Sequence, residues 1–124
     1  MSQGALDHAL SFVKERRAFG EQVVDFQGVR WMLADMHVQI EAARNLVYKA
    51  AASADAGLTG KALAMEAAVA KCHASDTAMR VATDAVQLFG AAGISADYPI
   101  NRYFRDAKVL QIVEGTQQLS LIHI

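Results

Sequence analysis

"MLADMHVQIEAARNLVYKA", Met32–Ala50, is the stretch on which the fold turns. Met32, Met36, Ile40, Ala43, Val47 and Ala50 recur at intervals of three and four, the period of a helix that buries one face. Extended outward, the pattern predicts a helix from about Phe26 to Ala56. "DAGLTG", Asp55–Gly60, breaks it: Gly57 and Gly60 supply the turn, and Thr59 is a candidate cap for the next helix. That second long helix is expected from about Lys61 to Phe89, with Ala78, Val81, Ala85 and Leu88 along one side. Two such helices joined by a short loop point to an all-α fold, an antiparallel helical bundle.

The flanks fit the same plan. Leu6, Leu10, Val13 and Arg17 read as one face of a first helix running from about Ser2 to Arg17 and ended by Phe19–Gly20. "GAAG", Gly90–Gly93, stops the second long helix. A loop then leads to a short helix from about Pro99, a residue suited to a first turn, and a last helix begins near Thr116.

With 124 residues, 53% of them hydrophobic and one proline, the chain is at most one domain, with the composition of a packed bundle rather than a disordered segment. A net charge of −1 without a Lys/Arg run argues against nucleic acid as a partner. The lone Cys72 excludes an internal disulfide and fits a reducing compartment. No stretch approaches the ~18 apolar residues of a membrane span, and "MSQGALDHAL" is not a secretory signal. "LSLIHI", Leu119–Ile124, back-translates to CTGTCTCTTATACACATC, a sequence similar to a library adapter. The expected layout is therefore a domain over residues 1–118, truncated at both ends, with an adapter-derived tail at 119–124.

Few residues carry candidate chemistry. His8, His37, His73 and His123 are scattered without metal-ligand spacing, and Cys72 reads as a small core residue, so neither metal nor thiol chemistry is expected. In "ERRAFG", Glu15–Gly20, the arginines either complement a helix C-terminus or grip a pyrophosphate through paired guanidinium donors. In "QLFGAAG", Gln87–Gly93, the glycines either stop a helix or let the backbone approach a ligand, with Gln87 as a donor. In "QIVEGTQQ", Gln111–Gln118, Glu114 sits between an apolar run and a glycine at a helix break, either a solvated glutamate or a positioned base.

Taken in order, "ERRAFG", "DFQGVRWMLADM" and "ATDAVQLFGAAGISADYPINRYFRDAKVLQIVEGTQQ" resemble the C-terminal domain of acyl-CoA dehydrogenases over about Ser2–Gln118. The resemblance implies a helical bundle that follows an N-terminal helical domain and a middle β-domain. It also implies homodimers paired into homotetramers, with FAD shared across the interface. It assigns Arg16 to the pyrophosphate of a neighbour's FAD, Gln87, Gly90 and Ala91 to its adenosine side, Phe19 and Gln27 to flavin contacts, and Thr116 and Gln118 to the FAD of the same subunit. Glu114 matches the base that takes the α-proton of an acyl-CoA thioester while a hydride leaves the β-carbon for flavin N5, and Gly115 leaves room for substrate.

Such a base must be kept from water, flanked here by Ile112 and Val113, and its backbone N–H would stabilise charge on the thioester oxygen. Val113 stands where the family often has an aromatic residue, and Ala91 and Ala92 where it has a glycine and a polar residue, so the acyl pocket and those contacts are expected to differ in detail. The implied electron acceptor is an electron-transfer flavoprotein, and the implied location is the bacterial cytoplasm or a mitochondrial matrix. An acyl-CoA oxidase-like flavoprotein and a non-catalytic oligomerisation module are the alternatives.

Overall fold

The computed structural model describes residues 1–124. Five helices carry the chain: α1 (Ser2–Glu15), α2 (Gln27–Asp55), α3 (Gly60–Phe89), α4 (Ile100–Leu110) and α5 (Gln117–Leu121). The expected all-α bundle is what forms, and no helix is long and apolar enough to cross a membrane.

The core gathers on α3, which packs against each of the other helices. Val81, Ala85, Leu88 and Phe89 meet Ala5, Leu6, Ala9 and Val13 of α1, Met36 and Ile40 of α2, and Ile100 of α4. Ala5, Ala9 and Ala85 contribute to this core methyl side chains, which let two helix backbones approach closely. Ala78 and Ala82 of α3 meet Ala107 of α4 in a separate small cluster, with Met79 and Leu110 at its edge. That alanine seam sets α4 beside α3 and delivers the end of α4 to the middle of α3.

The α3 stripe is buried as its spacing predicts: Ala78, Val81, Ala85 and Leu88 are all in the core. The α2 stripe is buried only in its middle, at Met36, Ile40 and Ala43. Val47 is 43% exposed, because α2 runs past the end of α1 and has only α3 to cover it. Thr59 takes the N-cap position of α3, yet its side chain caps no N–H. Pro99 lies just before α4 rather than inside it, and its carbonyl accepts from Arg102 and Tyr103.

The chain after α1 departs from expectation. Helix α1 stops at Glu15 because Arg16 is already extended (φ −69°, ψ 132°), and Arg17 therefore leaves the helical face altogether. Two short antiparallel strands come next, β1 (Arg17–Ala18) and β2 (Glu21–Gln22), paired Arg17 to Gln22 and Ala18 to Glu21. Phe19 (φ 53°) and Gly20 (φ 87°) form the two-residue turn, with the positive φ at both central positions that tight hairpins favour. Arg17 donates to the Gly20 carbonyl at 2.7 Å and so locks the turn.

Two ion pairs tie α2 to α3: Arg80 with Asp35 at 2.7 Å and Lys49 with Glu66 at 3.4 Å. Beside the first lies Asp84, whose carboxyl pKa is raised by desolvation; Arg80 pulls it back down and Asp35 pushes it up. A carboxyl that holds its proton more tightly folded than unfolded destabilises the fold once it ionises, so stability falls as pH rises from the ordinary carboxylate range through the raised value. Asp84→Asn removes that penalty. Its melting temperature is expected to exceed the parent's at neutral pH by a small margin, roughly 1–2 °C, and the gap should close on acidification, as followed by circular dichroism across a pH series.

Candidate active site

Helix α4 ends at Leu110, and the chain turns back before α5. Ile112 and Val113 both donate backbone N–H groups to Val109, closing the last turn. Glu114 then adopts φ 54° and Gly115 φ 90°, reversing the chain in the left-handed region. For glutamate that conformation costs of order 1–2 kcal/mol, and strain of this kind collects at functional sites. Gln117 N–H donates to the Gln111 carbonyl at 3.1 Å and closes the loop at its base. Thr116 caps α5, its hydroxyl accepting from Leu119 N–H.

Side chains on α3 hold this loop. Lys71 Nζ donates to the Gly115 carbonyl at 2.7 Å and to Gln117 Oε1 at 3.3 Å. Ser75 Oγ donates to Gln117 Oε1 at 3.0 Å, and Gln117 Nε2 donates to the Cys72 carbonyl at 3.0 Å. Glu114 faces a cavity of about 240 Å³ whose other walls are Lys71, Ala74, Ser75, Leu110 and Val113. Its backbone N–H makes no hydrogen bond to other backbone groups, which leaves it free to donate outward.

The apolar flank expected of Ile112 and Val113 is half right. Val113 shares the cavity with Glu114, but Ile112 points to the far side of the loop and is 54% exposed. Alternate residues of a tight loop face opposite ways, so only one can serve. Glu114 is itself exposed, and this chain alone does not keep it from water.

A second concavity lies at the C-terminal end of α3. Arg16, Gln87, Gly90 and Ala91 come together at a cavity of about 430 Å³, walled by the aromatic rings of Phe12, Phe89 and Tyr98. Phe12 and Phe89 stack with centroids 4.1 Å apart, and Tyr98 packs edge-on against both. Gly90 (φ 60°, ψ −136°) holds a conformation reserved for glycine, and a Cβ added there would meet nothing within 4 Å. The backbone face is therefore open. Arg17 spends its guanidinium on the hairpin turn, whereas Arg16 lines the cavity. A planar five-donor cation, an amide and an open backbone against aromatic walls form a donor set that fits a nucleotide pyrophosphate, as FAD would present.

The remaining residues lie apart. Phe19 stands at the hairpin tip, 98% exposed, with its ring edge-on to Phe26 at 6.3 Å; exposed Gln27 comes at the start of α2. Thr116 and Gln118 line a third concavity on the Ile112 side of the loop. Lys71, Ser75 and Gln117 were missed in the sequence. The available signal was a lysine set among small, buried residues, Ala70, Cys72 and Ser75, where a free ammonium needs acceptors. No group of three His, Cys, Asp or Glu side chains lies close enough to hold a metal ion.

A family model described as "Acyl-CoA dehydrogenase, C-terminal domain" matches residues 1–124. The chain is 52% identical over 98% of its length to a probable acyl-CoA dehydrogenase of Mycobacterium tuberculosis, FadE25, of which it covers 31%. It is 48% identical over its whole length to a short-chain-specific acyl-CoA dehydrogenase of Clostridium acetobutylicum, covering 32% of that protein. Among solved structures, butyryl-CoA dehydrogenase from Megasphaera elsdenii superposes with a TM-score of 0.93 at 49% identity, over 98% of this chain and 31% of that one. The chain thus spans about one third of the length of these relatives.

The strained turn makes a direct test. A Cβ at Gly115 has room, its nearest neighbour being Ser120 Oγ at 3.8 Å, so Gly115→Ala should cost only backbone strain. Urea unfolding is expected to show a loss of about 1–2 kcal/mol; a loss well above that would mean a clash the geometry does not contain.

Proposed function

We propose, from the premise that this chain belongs to the acyl-CoA dehydrogenase family as a C-terminal domain, that it supplies the catalytic base and part of the flavin site of an FAD-dependent enzyme that oxidises acyl-CoA thioesters to their α,β-unsaturated products. The observation that carries this reading is Glu114, held in the left-handed region on a loop bound to α3 and opening on a cavity walled on one side by Leu110 and Val113. A carboxylate serving only as a solvated surface group has no use for that strain.

The chemistry asks three things of these residues. Glu114 must be anionic and must reach the α-carbon, whose proton it takes. The electron pair of that C–H bond becomes the α,β π bond as the β-hydrogen departs with its own pair. FAD, when bound, supplies the acceptor for this hydride. The unpaired Glu114 N–H is available to the thioester oxygen, where charge grows as the proton leaves; one such donor is worth about 3–4 kcal/mol in the transition state. Val113 and Leu110 offer the acyl chain an apolar wall.

Glu114 is exposed in this chain, so the water exclusion that strengthens it as a base comes from elsewhere in the assembled enzyme. Lys71 beside the Glu114 loop and Gln87 at the second cavity are 16 residues apart on α3, about 24 Å along a helix. One chain can therefore give its base to one active site and its Arg16 corner to a neighbour's, which supports an FAD shared between copies in a homodimer or homotetramer. Phe19, Gln27, Thr116 and Gln118 are assigned as further flavin contacts, and an electron-transfer flavoprotein as the electron acceptor. The short-chain specificity named for the Clostridium relative makes butyryl-CoA the first substrate to try.

In the full-length enzyme, Glu114→Gln keeps the shape of the side chain and loses the base. Turnover of a straight-chain acyl-CoA series beginning with butyryl-CoA should fall by about 10³-fold or more, with flavin content unchanged; wild-type turnover would leave only a helical oligomerisation module. Arg16→Ala is expected to lower flavin retention on gel filtration, and full retention would remove Arg16 from the cofactor site.

A further inference from the structure

Lys71 makes no ion pair with any carboxylate, although it is a half-buried cation. Its ammonium instead donates to two uncharged oxygens, the Gly115 carbonyl and Gln117 Oε1. Burying an ammonium against neutral acceptors is unfavourable unless something is gained in return. One acceptor is the peptide oxygen next to Glu114 and the other, Gln117, closes the Glu114 loop at the start of α5, and Lys71 and Glu114 line the same cavity. We propose that Lys71, with Gln117 and Ser75 as its partners, is a positioning residue that holds Glu114 in its strained conformation and aims it at the substrate. This rests on the reading of Glu114 as the base.

The bonding pattern supports a holding role in detail. The Gly115 carbonyl is the peptide oxygen directly after Glu114, so a bond to it fixes the rotation of the turn itself. Gln117 is then bound on both sides of its amide, by Lys71 and Ser75 at the oxygen and by the Cys72 carbonyl at the nitrogen. The opposite end of the loop has its own brace, with Gln111 Nε2 donating to Asp76 at 2.6 Å and Lys108 donating to Gln111 Oε1 at 2.8 Å. Asp76 and Lys108 lie on the Ile112 side of the loop, which leaves Lys71 as the one other charged group in the Glu114 cavity. Lys71 thus acts through geometry: its ammonium fixes the turn that presents the base.

The test uses the full-length enzyme and the acyl-CoA that it turns over fastest among straight-chain thioesters. Lys71→Met should lower kcat by about 100-fold, the usual consequence of misplacing a catalytic group by an ångström, while KM and flavin content stay within about threefold. Lys71→Arg, which keeps a cationic donor, should restore most of kcat. Gln117→Leu, which leaves the cation and removes its amide partner, should lower kcat by roughly 10-fold.

Wild-type kcat in Lys71→Met overturns the proposal. So does a loss spread equally over kcat, KM and flavin content with no rescue by arginine. If Lys71→Met fails to fold, wild-type kcat in Gln117→Leu overturns it instead. Glu114→Gln measured alongside separates the two levels: retained turnover there removes the base itself, whereas an inactive Glu114→Gln beside a fully active Lys71→Met removes only the positioning role.

Discussion

Close packing of helices across alanine is the constraint that governs this molecule. Ala78 and Ala82 against Ala107 bring α4 down on α3 with only methyl groups between them, and Ala5, Ala9 and Ala85 do the same where α1 meets α3. A larger side chain at those positions would force the helices apart, and overpacking of this kind typically costs about 1–3 kcal/mol. Beyond stability, the seam sets distance. Because α4 lies so close to α3, the loop at its end falls within hydrogen-bonding reach of Lys71 and Ser75, and the strained turn at Glu114 can be held by side chains from a rigid helix.

Helix α3 therefore acts as a strut with one concavity at its middle and another at its C-terminal end. At its middle the Glu114 loop is bound to it; at its C-terminal end, Phe89 leads into Gly90, and stacked rings support an open backbone beside Arg16. Neither concavity is closed by this chain alone. Glu114 is exposed, Phe19 is almost wholly exposed at its hairpin tip, and Arg16 looks into an open cavity. These are the surfaces of a component, and they account for why the same 124 residues look unfinished as a site yet well built as a scaffold.

Periodicity made the scaffold legible. The α3 stripe was readable residue by residue because apolar spacing and burial coincide there, and glycine pairs marked the stops. The α2 stripe overreached at Val47, since spacing records which face could be buried and not how far a neighbouring helix extends. The hairpin at Arg17–Gln22 escaped because two-residue strands carry no alternation to detect, and its signal was the conformation of Phe19, which composition does not encode. The position of Glu114 was suggested by the helix break, and its supports were not. Lys71 lies 43 residues earlier in the chain, and only folding brings an ammonium from one helix to a carbonyl in another loop.

The bond from Gln117 N–H to the Gln111 carbonyl turns the segment between them into a closed ring of fixed circumference. Its length matters because one residue more or fewer would rotate Glu114 away from its cavity while both braces on α3 stayed where they are. Diversity in the pocket must then come from the identity of its apolar wall residues, Val113 and Leu110, rather than from the reach of the loop.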